Sequence, residues 1–281
     1  MSATTLRDEP RPFGPGRLWI CLQGIVWRES LRFLHQRERF ISALVRPLVW
    51  LFIFAAGFRQ TLGVSIIPPY DTYVLYEVYI TPGLMAMIQL FNGMQSSLSM
   101  VYDREMGSMR MLLVSPAPRW FLLTSKLVAG VAVSILQVYA YLVIAYFWDI
   151  EPPNWWNYLT VLPALALAGL MLGALGMLLS SLIKQLENFA GVMNFVIFPM
   201  FFASSALYPL WHVKEASLTL FYLCWANPFT HAVELVRFAL YEKFDPLSAG
   251  MVVAALVVFM ALAIYGYDPG RGLIVRRAGA E

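Results

Sequence analysis

Six long apolar stretches constrain the fold of this chain more than any other feature of its sequence. They cover residues 41–58, 78–101, 127–148, 158–183, 189–207 and 249–265. A helix that crosses a bilayer needs about 20 apolar residues, with a range of about 17 to 25. Soluble domains carry roughly 25% charged residues, whereas this chain carries 13%. The sequence therefore predicts an all-α integral membrane protein with six transmembrane helices.

The polar segments at the two ends of the chain divide it further. Residues 1–16 are rich in Pro, Gly and charge, which predicts a flexible tail. Residues 17–40 carry one apolar and one basic face at helical spacing, which favours an interfacial amphipathic helix over a partly buried soluble one. The six-span domain is then expected over 41–267, followed by a tail at 268–281.

The distribution of Lys and Arg predicts the orientation of the spans. With six spans both termini lie on one side, and that side carries 15 of the 20 Lys and Arg residues, against four on the other. Arg46 is not counted, because it is expected near the start of the first span with its side chain reaching the headgroups. Cytoplasmic segments are enriched in Lys and Arg. Both termini and the segment 103–126 are therefore predicted to be cytoplasmic.

On the opposite side, the segment 208–248 is apolar but too interrupted to span a membrane. Pro disfavours helical geometry in the residue before it, so Asn227–Pro228 marks a helix break. The sequence predicts a re-entrant or interfacial pair of short helices, hinged at Asn227–Pro228.

Two features within the spans leave alternatives open. Gln89, Asn92, Ser96 and Ser99 share one face of the second span, either as a candidate substrate path or as ordinary interhelical hydrogen-bonding groups. The GxxxG motif at 169–173 allows two helix backbones to approach closely, either between two subunits or within one.

The sequence offers no catalytic chemistry. It contains no GxSxG, HExxH or GxxxxGK[ST] motif, and its three histidines, His35, His212 and His231, lie in separate segments. We therefore predict no catalytic residue, no metal site, no bound cofactor and no nucleic-acid partner. An ion-coupled carrier needs ionisable groups at membrane depth, so their scarcity here argues against one.

The segment 103–126 is charged, and Gly107, Pro116 and Pro118 interrupt it. Between these breaks the sequence predicts a short helix across the cytoplasmic surface, with a new helix beginning at Arg119. Charged groups with an apolar stripe beside them favour a docking surface over a solvated linker. The predicted docking residues are Arg104, Glu105, Gly107, Ser108, Arg110, Met111, Leu112 and Leu113.

These residues resemble the signature of the type-2 ABC exporter permeases. The match consists of Asp103, Arg104, Glu105, Gly107, Ser108, Leu112, Leu113, Ser115, Pro116, Arg119 and Lys126. A second group, NPFTHAVELVR at 227–237, is similar to the Asn-Pro and Glu-Leu-x-Arg pattern that precedes the last span of the family. Two positions depart from the pattern: Arg110 stands where Glu is usual, and Ser125 stands where Gly is usual.

The resemblance implies a permease subunit of an ATP-driven exporter in a bacterial inner membrane. Two permease subunits, expected to be identical, would work with separate ATP-binding subunits that hold ATP and Mg²⁺. The segment 103–126 would contain the coupling helix, and Asn227, Pro228, Glu234 and Arg237 would belong to an outer gate. The substrate would be hydrophobic, amphipathic or lipid-linked. A secondary carrier, or a membrane anchor for a cytoplasmic ATPase, is the alternative.

Overall fold

The structure of the chain is a computed structural model that describes residues 15–35, 37–58, 68–105, 118–183 and 185–267. All the regular elements within these ranges are α-helices. In chain order they are α1 (Pro15–His35), α2 (Arg37–Phe58), α3 (Tyr76–Glu105), α4 (Arg119–Tyr146), α5 (Asn157–Leu182), α6 (Leu186–Phe202), α7 (Leu210–Ala216), α8 (Leu218–Ala226), α9 (Pro228–Leu240) and α10 (Pro246–Gly266).

Among the described residues, three helices are long and apolar enough to cross a membrane. They are α4, α5 and α10. Shorter apolar helical segments lie in α2, at Leu44–Ile53, and in α6, at Leu186–Phe202. The prediction of an all-helical fold is thereby confirmed, and three of its helices have the length and composition of membrane spans.

The centre of the bundle is formed by α3 and α5, which pack along each other. Around this pair, α5 also contacts α4, α9 and α10, while α3 also contacts α2, α4, α6 and α9. The amphipathic helix α1 packs against α4 and leaves Trp19 and Trp27 exposed. Many of the fully buried residues therefore lie on α3 and α5.

Contacts at the helix ends show which ends of the bundle lie together. The Tyr76 hydroxyl in the first turn of α3 donates to the Leu207 carbonyl, 2.7 Å away, just beyond the end of α6. At the opposite end of α3, the Glu105 carboxylate accepts from the Leu186 amide at the start of α6, at 3.4 Å. Helices α3 and α6 therefore run antiparallel. We name these the outer and inner ends, after the predicted orientation.

Several boundaries and one helix count differ from the sequence prediction. The helix expected to begin at residue 41 begins at Arg37, because it includes a polar turn that precedes the apolar stretch. Helix α6 ends at Phe202, five residues before its apolar stretch does. The outer segment forms three helices instead of two, because Ser217 ends α7 and caps α8 with its side chain. The predicted break at Asn227–Pro228 and the predicted helix start at Arg119 are confirmed.

Candidate functional site

The predicted polar strip of α3 is divided between two kinds of contact. The Gln89 side-chain amide donates to the Leu165 carbonyl of α5 at 2.7 Å, and the Asn92 amide donates to the Gln137 side chain of α4. Ser99 instead donates to the Ser96 carbonyl within α3, at 2.6 Å. The two amides therefore bond across helices, while a role of the strip in a substrate path stays a prediction.

Glycines bring the backbones of α3 and α5 into direct contact. A Cβ atom on Gly93 would lie 2.9 Å from the Cα of Gly173, and one on Gly176 would lie 2.8 Å from the Gly93 carbonyl oxygen. We call Gly93, Gly173 and Gly176 the α3–α5 seam. Gly173 of the GxxxG motif thus contacts another helix of the same subunit, which is one of the two alternatives that the motif left open.

The seam leaves little free space. A cavity of about 10 Å³ remains where α3, α4 and α5 meet, between Gln89, Ser96 and Gly130. A cavity of this size holds one water at most. A molecule larger than water does not fit into this cavity.

A larger cavity of about 60 Å³ lies between α2 and α3. It is lined by Arg46, Pro47, Met87, Ile88, Phe91, Asn92 and Gln95. The Arg46 guanidinium carbon lies 3.8 Å from the centroid of the Phe91 ring, and Phe91 is midway along the 30-residue helix α3. The Arg46 side chain, which is exposed on the surface of the bundle, therefore lies level with the middle of α3, deeper than its position near the start of the first apolar stretch indicated. A charged residue inside an apolar stretch was the signal for this site.

At the outer end, Glu234 and Arg237 form an ion pair on one face of α9. Arg237 is only 2% exposed. Its Nη2 donates to the Ser205 carbonyl at 2.8 Å, and its guanidinium carbon lies 4.2 Å from the centroid of the Tyr79 ring of α3. The Tyr79 hydroxyl donates to the same Ser205 carbonyl, at 3.0 Å. This outer cluster of Tyr79, Ser205, Glu234 and Arg237 joins α9 to α3 and to the turn after α6.

Asn227 and Pro228 form the junction between α8 and α9. The Asn227 side-chain oxygen accepts from the Phe229 amide at 3.0 Å and so caps α9, while Pro228 occupies the first turn, where its missing N–H is harmless. The Asn227 side-chain nitrogen donates to the Met200 and Ala203 carbonyls, each at 2.7 Å. The junction is therefore fixed to the outer end of α6.

The loop before α3 adds aromatic and ionic contacts to this end of the molecule. The Tyr70 and Tyr241 rings meet edge to face, 4.9 Å apart. Lys243 donates to the Pro69 carbonyl and to the Asp71 carboxylate, each at 2.8 Å. Burial raises the pKa of the Tyr241 hydroxyl to about 12 although nearby Arg237 lowers it, and burial also raises the pKa of Tyr70. Both hydroxyls stay neutral at physiological pH.

Most of the predicted docking surface lies outside the described residues. Helix α3 includes Arg104 and Glu105 in its last turn, whereas Gly107, Ser108, Arg110, Met111, Leu112 and Leu113 fall in the undescribed segment 106–117. The contact of Glu105 with the Leu186 amide links this end of α3 to the start of α6.

Helices α4, α5 and α10 have the length and composition of membrane spans, as in a multi-helix membrane protein. The sequence profile described as ABC-2 type transporter matches residues 21–241. The chain therefore belongs to the ABC-2 type transporter family and is a transporter permease. The matched region runs from α1 to the end of α9 and includes the segment 103–126.

Two of the three relatives that follow are named as permeases. The protein named transport permease ycf38 of Cyanophora paradoxa is 26% identical over 235 residues, which cover 78% of each chain. The multidrug ABC transporter permease YbhR of Escherichia coli K12 is 30% identical over 170 residues, 60% of this chain and 45% of YbhR. Nodulation protein J of Sinorhizobium fredii is 27% identical over 124 residues, 44% of this chain and 45% of that protein. The chain thus aligns with less than half the length of two of these relatives.

Proposed function

We propose that this chain is the membrane-spanning subunit of an ATP-driven exporter that moves a hydrophobic, amphipathic or lipid-linked substrate outward. A separate ATP-binding subunit would hold ATP and Mg²⁺, and this chain would perform no bond chemistry. The observation that carries the proposal is the family match over residues 21–241, because it includes the charged, Gly- and Pro-interrupted segment between α3 and α4.

The proposed topology has six spans, formed by α2, α3, α4, α5, α6 and α10. The antiparallel contacts at both ends of α3 and α6 support it, as does the concentration of Lys and Arg at the inner end. Both termini would be cytoplasmic, in a bacterial inner membrane, and a second identical permease subunit would complete the transport unit.

The residues proposed to dock the ATP-binding subunit run from Arg104 to Leu113. They begin in the last turn of α3, and α4 begins at Arg119 shortly after them. The contact of Glu105 with the Leu186 amide adds α6 to the same inner end. A push by the ATP-binding subunit on this segment would therefore act on three helices together, which favours rigid-body rocking of the bundle.

The proposed outer gate contains Asn227, Pro228, Glu234 and Arg237. Because the outer cluster joins α9 to α3, we expect the gate to move together with α3. The strip of Gln89, Asn92, Ser96 and Ser99 remains the proposed substrate path. Asn92 supports this role best, since it also lines the larger cavity between α2 and α3.

Co-purification from the native host tests the partner. We expect a P-loop ATPase to elute with the unchanged chain, and not with a variant that carries Gly107→Pro and Leu112→Asp. A matched control, Leu218→Asp, puts the same charge on an exposed leucine of α8 at the outer end and should retain the ATPase. If no ATPase elutes with any of the three proteins, the result contradicts the proposal and favours a self-contained carrier.

Transport by the assembled complex tests the direction and the energy source. Inverted vesicles that contain both subunits should accumulate an amphipathic substrate only when ATP is hydrolysed. A complex that hydrolyses ATP but moves no substrate would instead be a membrane-anchored ATPase.

A further inference from the structure

Arg46 of α2 lies at the mid-depth of the helical bundle. Its guanidinium contacts Phe91, and Gly93, two residues further along α3, contacts Gly173 of α5. Helix α5 is a candidate span from Asn157 to Leu182, so Gly173 lies within about one helical turn of its midpoint. The guanidinium is therefore close to the centre of the apolar layer.

A cation at this depth needs a compensating partner. Charged side chains inside a span are unfavourable, and they mark ligand or ion sites when they face a cavity. One face of the guanidinium is covered by the Phe91 ring. A guanidinium has five N–H donors, and within the described ranges none of them forms a hydrogen bond or an ion pair. Arg46 therefore retains the capacity to bind an anion.

The cavity beside Arg46 has two chemically distinct sides. Asn92 and Gln95 supply side-chain amides on the α3 wall. Met87, Ile88 and Pro47 supply apolar surface next to them. An oxyanion beside Arg46 would receive N–H groups from the guanidinium, from Gln95 and from the second N–H of Asn92, whose first N–H donates to Gln137. An attached alkyl chain would lie along the apolar side.

We propose that Arg46, Asn92 and Gln95 form a binding site for the oxyanion head of a single-chain amphiphile, such as an alkyl phosphate. The site rests on the proposed function, since its occupant would be the exported molecule, and it narrows the substrate class to anionic amphiphiles. Lys cannot reproduce the planar, bidentate contact of Arg with an oxyanion. The Arg46→Lys variant should therefore retain only part of the preference for an anionic head over a neutral one.

Native mass spectrometry of the chain, released from octyl glucoside micelles, tests the site. The probes are dodecyl phosphate, dodecyl glucoside and dodecyltrimethylammonium, which share one alkyl chain and differ in the charge of the head. We expect the chain to bind dodecyl phosphate at least about tenfold more tightly than dodecyl glucoside, because charge-assisted hydrogen bonds are stronger than neutral ones. Inorganic phosphate, which lacks the alkyl chain, should bind far more weakly.

Variants separate the site from general effects on folding or charge. Arg46→Gln should abolish the preference for dodecyl phosphate, and Gln95→Leu should weaken it severalfold while leaving Arg46 in place. Lys214→Gln removes an exposed cation of α7, far along the chain from the cavity, and should change nothing. Equal elution profiles of these variants on size exclusion show that they remain folded.

Three results would overturn the proposal. Equal binding of dodecyl phosphate and dodecyl glucoside would contradict the proposed site. A preference for dodecyl phosphate that persists in Arg46→Gln would contradict it as well. Competition by phosphatidylglycerol as strong as that by dodecyl phosphate would overturn the assignment to cargo, because the occupant would then be a bilayer lipid. These measurements need no ATPase, so a preference that depends on Arg46 would support the site even if no ATPase partner were found.

Discussion

The α3–α5 seam and the outer cluster both hold α3 in place, but by opposite means. At the seam, Gly93, Gly173 and Gly176 remove side chains so that two backbones touch. In the outer cluster, the buried Arg237 side chain pairs with Glu234, donates to the Ser205 carbonyl and packs on the Tyr79 ring. The seam depends on the absence of side chains, whereas the outer cluster depends on a charged partner for Arg237.

The difference indicates how each region responds to change. The backbone contact of the seam cannot accommodate added volume, because close-packed interiors have no room to relax. The outer cluster tolerates changes in size better than the loss of one partner, because a buried charge left alone is strongly unfavourable. We therefore expect the seam to be sensitive to size and the outer cluster to be sensitive to charge.

The largest expected effect is from Glu234→Leu in the outer cluster. It leaves Arg237 buried without its carboxylate partner, and breaking a buried pair in this way lowers the free energy of unfolding by about 3–5 kcal/mol. Thermal unfolding in detergent measures the change. The control Glu215→Leu disrupts the pair between Glu215 and His212, in which the Glu215 side chain is 69% exposed. This control should change the free energy of unfolding by less than about 1 kcal/mol.

A double variant sharpens this prediction. Glu234→Leu combined with Arg237→Met removes both charges, and apolar replacement of a buried pair is often neutral. The double variant should therefore be more stable than Glu234→Leu alone. If the two unfold at the same temperature, the charge of Arg237 is not what destabilises the single variant, and the contrast with the seam fails.

A smaller effect is expected from Gly93→Ala in the seam. The new Cβ would lie 2.9 Å from the Cα of Gly173, so the helices must separate, and such overpacking lowers the free energy of unfolding by about 1–3 kcal/mol. The control Gly250→Ala of α10 has no neighbouring atom within 4 Å of the new Cβ and should be neutral or slightly stabilising. Equal unfolding temperatures for the two variants would contradict the close contact.

The smallest effect is expected from Asp71→Asn at the edge of the outer end. Its ion pair with Lys243 is well exposed, with the two side chains 85% and 40% exposed respectively. Exposed pairs of this kind contribute about 0–1 kcal/mol, and salt screens them. Unfolding temperatures of Asp71→Asn and the unchanged chain should converge when the salt concentration is raised. A loss as large as that of Glu234→Leu would show that the outer end does not divide into buried and exposed charges.

Local chemistry made several elements of the fold predictable from sequence. Pro fixes its own φ angle and restricts the residue before it, so the break at Asn227–Pro228 and the helix start at Arg119 after Pro118 were foreseen. Ser217 was overlooked, although Ser is a common helix cap. The predicted docking residues from Gly107 to Leu113 lie outside the described structure, and their role stays a prediction.

The sequence by itself determined that the chain is an all-helical membrane protein, because apolar stretches of spanning length have no other stable form in lipid. Only the tertiary structure decided which helices the polar and small residues face. The GxxxG motif was compatible with a helix contact between two subunits or within one. The packing of α3 on α5 shows that Gly173 contacts a helix of the same subunit. Arg46 is near the start of its apolar stretch, yet its depth depends on how α2 lies against Phe91. Spacing along one helix fixes which residues share a face, whereas contacts between helices depend on the fold of the whole chain.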